Sequence, residues 1–539
     1  MRRRRTITPQ LPAGCRESSR TGAALRPGSE PSRALEPHGG SNAYGSGIVV
    51  RCGPACRTFD AQRAGRLRGA DADADAAMKL SLRALFLPLL AGLAGCASTS
   101  PQGAFERAAD QVQRQSGHRI MWNQAGDDDK KVGDALAKLV AGEMSPAQAV
   151  QVALLNNPAL QAMYEDLSLA QADLVQAGLL RNPVFSASIT TAERDALDPN
   201  LILRVTQDFL DLLMIPARKK VARAQLEQAR LRLVDEVLDL ASRTRTAYFT
   251  LQGAMQVVAM REVIAKTADA AIELAARQHE VGNINDLDLA NETAQFEQIK
   301  LDLGRSQVDL IGAREDFAKL LGIWGNLAVS FRIQPTLADL PAEEVGLDQL
   351  ESAAIAQRAD LAAAIEQTRT LAYAVSLARS TRWTGAINIG ADVARLRDGR
   401  YVVGPTASIE LPIFDQRQAV IARLEAAERA AQQTVRAVAV DIRSDVRRAR
   451  ARVVAARRFA ERYREVIIPT RQSIVRLAQT QYDSMLMSVF QLLVARQLEI
   501  NAYRDYIETV RDYWIARSDL ERAVGGGLPP KPMPAPSHH

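Results

Sequence analysis

The sequence predicts a mainly helical protein with a small membrane β component: long antiparallel helical hairpins plus four short extended segments. Three observations carry this expectation. The C-terminal part of the chain repeats the part before it, each repeat holds a helical run far longer than a compact domain needs, and two extended stretches precede that run in both repeats.

The leader does not belong with the rest. The chain has 539 residues, with 68 Lys+Arg, 62 Asp+Glu and a formal charge of +6, a balance that would prompt a search for nucleic-acid partners. Residues 1–95 hold 15 Lys+Arg against 7 Asp+Glu, which leaves −2 on residues 96–539 and removes that argument. Residues 1–77 contain nine Leu, Ile, Val or Phe, too few for a packed core, and read as a disordered extension ahead of the true start at Met78. Residues 78–95 then form a secretory signal: Lys79 and Arg83, an apolar run from Ala84 to Leu93, and Leu93-Ala94-Gly95 before Cys96. Leu-Ala-Gly-Cys resembles a bacterial lipobox. That resemblance implies cleavage before Cys96 and acylation of its thiol and new amino group, palmitate among the chains, with the outer membrane as destination. Two or more acyl chains anchor stably where one does not. The alternatives are a signal whose cysteine is incidental and a buried helix.

Residues 96–144 read as a lead, 145–346 as the first repeat, 347–525 as the second and 526–539 as a disordered tail. The repeat is visible at near-constant offset. Ala153–Leu160 aligns with Ala354–Leu361 at 201, Leu226-Glu227 with Leu424-Glu425 at 198, and His279–Gly282 with Tyr482–Met485 at 203. In the first repeat, Ser145-Pro146 and Asn157-Pro158 start short helices, each with a capping residue followed by Pro. Extended stretches follow at Pro183–Ala192 and Leu201–Leu210, and in the second repeat at Gly385–Leu396 and Tyr401–Leu411. Their length of about ten residues suits a tilted membrane strand, and an ordinary soluble hairpin has the same pattern.

Pro216 is expected to open the first long helix. From Ala217 to Val281 there is no Pro and a single Gly, Gly253. Leu226, Leu233, Val237, Leu240, Thr244, Tyr248, Leu251, Met255 and Val258 form a stripe at steps of three, four or seven. The run makes a rod of roughly 100 Å. A break at Gly282–Asn285 leads to a second helix over Asp286–Leu321; the second repeat has Gln416–Tyr482, with a possible kink at Pro469, a break, then Ser488–Val524.

These residues resemble the outer-membrane efflux proteins, the TolC-like channels of tripartite pumps, in the lipoprotein subgroup. The resemblance rests on ALLNNPAL and AIAQRADL, on GLLRNPVF before the first strand, on ARKKVARAQLEQA after the second, and on HEVGNINDLDL at the helix break. It implies a homotrimer whose protomers each give four strands to a closed β-barrel of twelve and four helices to an α-barrel. It further implies a passive exit duct fed by a periplasmic adaptor and an inner-membrane transporter of the resistance-nodulation-division type, with outer-membrane lipid around the barrel. No cofactor is implied beyond the covalent lipid on Cys96. Alternatives are the duct of a type I protein secretion system and a non-conducting acylated coiled-coil spacer. The lead from Phe105 to Met144 is similar to that of members associated with metal-ion efflux; the sequence does not fix the cargo.

By the same resemblance, the hairpin tips are where the adaptor docks and the tube opens. In the first, these residues are Gly282, Asn283, Ile284, Asp286 and Asp288. The two carboxylates read either as a cation-favouring ring or as first-turn helix capping. In the second they are Met485, Leu486, Met487 and Ser488. Gln491 and Val494 stand where some members carry entrance aspartates, and the Met/Leu cluster reads either as an adaptor-contact surface or as core packing. The arginine-rich stretch 436–464 reads as a solvated helix face rather than a nucleic-acid patch. His118 and His279 are too far apart in sequence to make a ligand cluster, no metal site is expected, and no catalytic constellation is present, so the chain reads as a non-enzyme.

Overall fold

The computed structural model describes residues 99–124, 133, 139–140, 142–191, 200–342, 349–396 and 399–528. The expectations for residues 1–77 and 78–95, Cys96 included, lie outside the described residues.

Helix α1 (Gln102–Ser116) precedes the first repeat. That repeat runs β1 (Glu143–Met144), α2 (Pro146–Asn156), α3 (Pro158–Gly178), β2 (Val184–Thr190), β3 (Asn200–Asp208), α4 (Phe209–Glu280), α5 (Asp286–Leu321), α6 (Asn326–Ser330) and β4 (Arg332–Ile333). The second runs α7 (Leu350–Gln357), α8 (Ala359–Ser380), β5 (Ile387–Arg395), β6 (Tyr401–Ile409), α9 (Gln418–Arg462), a π-helical turn (Tyr463–Ile467), α10 (Ile468–Asp483) and α11 (Val489–Val524). Among the described residues no helix is long and apolar enough to cross a membrane.

Local signals set most boundaries. Ser145 and Gln148 form a reciprocal cap, each side chain bonding the other's backbone N–H, with Pro146 following. Asn157 Oδ1 accepts from the N–H groups of Ala159 and Leu160 and starts α3. Helix α4 begins earlier than expected. Asp208 caps it by accepting from Asp211 N, so Pro216 lies inside the helix. Pro216 lacks the N–H that would bond back to Leu212, one missing bond in a helix of 72 residues. The start at Asp208 also takes Phe209 and Leu210 out of the strand expected to reach Leu210. The π-helical turn lies immediately before Pro469 and absorbs the kink expected there.

The α4 stripe is the core. Leu226, Leu233, Val237, Leu240, Thr244, Tyr248, Leu251 and Val258 are buried, and Met255 is partly buried. One cluster joins this stripe to α1 and α3 through Leu160, Tyr164 and Leu167. Tyr164 packs edge-on to Phe105, with ring centroids 5.2 Å apart. A second cluster covers Tyr248 and Phe317, and a third seats Leu350 and Leu361 against Ile442, Val453 and Tyr513. Gly253 lets α11 approach α4 closely, since a Cβ there would lie 2.9 Å from the Arg511 side chain. Burial and the hydrogen bond to Met144 O hold Tyr248 at the join with β1, and burial pushes its hydroxyl up to about 12.

The first residues of the tail touch the folded part. Gly527 N donates to Gln115 O at 2.7 Å, and Leu528 packs on the third cluster. Residues 529–539 lie outside the described residues.

Candidate functional site

Four strands form one antiparallel sheet in the order β2-β3-β5-β6, so β3 and β5 join the two repeats and β2 and β6 are its edges. The register sorts the side chains. Val184 opposes Thr206, Thr206 opposes Gly390 and Gly390 opposes Thr406. Side chains alternate along each strand, so residues of one parity share one face. One face then carries Ser186, Ser188, Thr190, Asn200, Thr206, Asn388, Thr406 and Ser408, with Arg204 and Asp392 and the apolar Val184, Ile202 and Val402. The other carries Phe185, Ile189, Leu201, Leu203, Val205, Ile387, Ile389, Val393, Val403 and Ile409, with Gln207 and Arg395 as its polar members. This two-sided alternation is what a sheet needs between lipid and water. Exposed apolar residues extend past the strand ends on the helical side, including Leu212, Leu213, Trp383, Ile413 and Phe414. Arg382 stacks on Trp383, 4.7 Å from the ring centroid.

The two hairpin tips are built alike. In the first, Gly282 N donates to His279 O and Asn283 N to Gln278 O, at 2.9 and 2.8 Å. In the second, Met485 N donates to Tyr482 O and Leu486 N to Gln481 O, at the same two distances. Asn285 then caps α5 by accepting from Asp288 N, as Ser488 caps α11 by accepting from Gln491 N. Asp286 and Asp288 lie in the first turn of α5, where acids favour the positive helix end. Asp286 also reaches across the turn to His279, with Oδ1 2.7 Å from Nε2. The expected tip residues therefore fall into two turns, each brought together by local bonds. Gln295 donates to Gln497 at 2.9 Å, which puts both tips at one end of the molecule.

The Met/Leu cluster divides. Met487 packs on Val475, Ala478, Leu492 and Ala495, whereas Met485 is 94% and Leu486 80% exposed. Val494 and Gln491 line a shallow cavity of about 330 Å³ with Met487. Between the hairpins, Val263, Ile264, Phe296, Leu492 and Ile500 line an apolar cavity of about 500 Å³, and burial raises the pKa of its Glu292.

Residues 149–323 match the family model of the outer membrane efflux protein. The matched stretch runs from within α2 to just past the end of α5. The likeness in fold extends through both repeats. The Campylobacter jejuni CmeC outer membrane channel covers 71% of this chain and 86% of its own length, at 17% identity and a TM-score of 0.63. The Vibrio cholerae outer membrane protein VceC covers 71% and 96%, at 19% and 0.60. The open-state Neisseria gonorrhoeae MtrE outer membrane channel covers 72% and 90%, at 18% and 0.57. No curated protein matches the chain.

Within the matched stretch, α5 ends where α3 begins. Asn156 Nδ2 donates to the carbonyls of Leu321 and Gly322, and Asn157 Nδ2 to that of Leu320. In the second repeat Arg358 stands at the position of Asn157, and this join is ionic. Arg358 pairs with Asp360 at 2.6 Å, Arg522 with Asp235 at 2.9 Å, and Arg245 with Glu521 at 2.5 Å. Burial pushes Asp235 up, against the pull of Arg522. The last two pairs tie α4 of the first repeat to α11 of the second. They border a cavity of about 630 Å³ whose lining includes Arg358, Asp445, Arg452, Asp519 and Arg522. The sequence reading missed the α4–α11 pairs because their partners lie 287 and 276 residues apart. It also placed His118 and His279 in no site. His118 is buried 3.4 Å from Arg245 and His279 pairs with Asp286, so neither is near the other's partner. Among the described residues no group of three or more His, Cys, Asp or Glu could hold a metal ion.

Proposed function

We propose that this chain is the outer-membrane duct of a tripartite efflux system. The four-stranded sheet carries the reading, with one mainly apolar face, one mainly polar face and an open edge on each side. In lipid an unpaired strand edge leaves backbone groups unsatisfied, so the sheet must close on further copies. Three copies make the barrel of twelve strands that the family resemblance implies, with the apolar face to lipid and the polar face to the lumen. Conduction is passive. A spacer protein has no use for such a sheet.

The hairpins then extend into the periplasm, and the tips meet the adaptor, which couples the duct to an inner-membrane transporter of the resistance-nodulation-division type. The exposed pair Met485 and Leu486 supplies apolar contact area there, and Asp286 supplies an exposed carboxylate. Acylation at Cys96 adds a lipid anchor beside the barrel.

Planar-bilayer recording tests the duct. Purified trimer is expected to give discrete conductance steps; pure, folded trimer that inserts and gives none overturns the reading.

A further inference from the structure

The polar face of the sheet is almost uncharged. Among the described residues it holds hydroxyl and amide side chains, with Val184, Ile202, Ala394 and Val402 between them; its charges are Asp208, which caps α4 at the strand end, and one pair in mid-strand. In that pair Arg204 and Asp392 are directly opposed on β3 and β5. Arg204 Nε donates to Asp392 Oδ1 at 2.8 Å and Nη2 to Oδ2 at 3.0 Å, a two-bonded fork. Thr406 adds a side-chain hydrogen bond to Asp392. The same cross-strand row continues to Ser186 on one side and Gly404 on the other, so two small residues flank the pair. The row crosses the seam between the repeats, and closure of the sheet places the pair on the lumen wall of each protomer.

We propose that Arg204 and Asp392 are charge-selectivity-determining residues of the barrel. They form a self-neutralising ring that lets solutes of either sign pass this level. This rests on the duct reading above. A fixed charge on the wall of a water-filled lumen favours counter-ions. Here each protomer contributes both signs within one hydrogen-bonded fork, so the far field cancels while the solvated face stays polar. A pair that only fixed strand register would not need to face the lumen.

The test is the reversal potential of trimers in a potassium chloride gradient. Asp392→Asn leaves an unmatched guanidinium and is expected to shift the permeability ratio toward chloride. Arg204→Gln is expected to shift it toward potassium, each by about threefold from Coulomb energies at several Å in water. The exchanged pair, Arg204→Asp with Asp392→Arg, is expected to keep the wild-type ratio. Gly404, which opposes Asp392, provides a second route that replaces neither member of the fork, because a Cβ there meets nothing within 4 Å among the described residues. Gly404→Asp is expected to move the ratio toward potassium and Gly404→Lys toward chloride, which keeps the proposal testable if a pair variant does not assemble. Shifts independent of the sign of the introduced charge, or no shift in conducting channels, overturn the proposal. Absence of conductance in the wild type overturns the duct reading instead.

Discussion

Gly282 and Met485 occupy the same left-handed turn, 203 residues apart, with φ of 76° and 59°. The duplicated tip keeps its backbone bonds but has a side chain where the first copy has none. An L-residue in this region is strained by roughly 1 kcal/mol, and glycine relieves it. Met485→Gly is therefore expected to stabilise the second tip by about that amount, and Gly282→Met to destabilise the first similarly. Amide exchange of the two tip turns measures both; faster exchange in Met485→Gly would refute the strain.

That a strained methionine stands at an exposed tip fits a contact role. Met485→Asp combined with Leu486→Asp is expected to lower binding of the cognate adaptor by about tenfold, while thermal stability stays near wild type. Met487→Ala should do the reverse, because Met487 packs inward on Val475 and Leu492. Unfolding curves and a pull-down with the purified adaptor separate the two.

The asparagine join makes a sharper prediction. Gly322 and Gly282 both have positive φ, but a Cβ at Gly322 would lie 2.5 Å from Asn156 O, whereas Gly282 faces open space. Gly282→Ala should cost about 1 kcal/mol, and Gly322→Ala clearly more, since strain and a backbone clash add. Asn157→Ala removes both the α3 cap and the bond to Leu320 O, for an expected loss of about 1–2 kcal/mol. Denaturant midpoints of the three variants give the order.

The signal reading at Cys96 is checked by labelling. Cells fed radiolabelled palmitate are expected to label the wild type, and Cys96→Ser to lose the label while the trimer still forms. Label retained in Cys96→Ser would mean that acylation lies elsewhere.

Local chemistry made much of this fold legible. The α4 stripe, the Ser145 and Asn157 caps and both tip breaks are written in residues a few positions apart, and they fall where periodicity and capping place them. Pro216 misled because proline near a helix start is also tolerated in the first turns, and Asp208 supplied a better cap upstream. The strand stretches were found, but their two faces were not. Parity along one strand does not show which residue lies across from it, and only the β3–β5 register sets Arg204 against Asp392. The ionic join was invisible for the same reason: Arg522 and Asp235 meet through tertiary packing alone.

His118 yields a pH prediction whose sign follows from its surroundings. Burial lowers its pKa, and the Arg245 guanidinium, 3.4 Å away, lowers it further, against a hydrogen bond to Gln151 that raises it. Arg245 in turn holds Glu521 of α11, so a charged imidazole would press on the pair that ties the repeats together. The unfolded chain takes up its proton near pH 6.5, and the folded protein only at lower pH. Between those values the unfolded state binds more protons, so stability falls as pH falls. His118→Gln cannot titrate and is expected to flatten this part of the profile. Melting temperatures of the two proteins should run parallel above about pH 7 and diverge below 6.5, with the wild type falling faster. Parallel curves down to acid pH would show that the imidazole titrates alike in the folded and unfolded states.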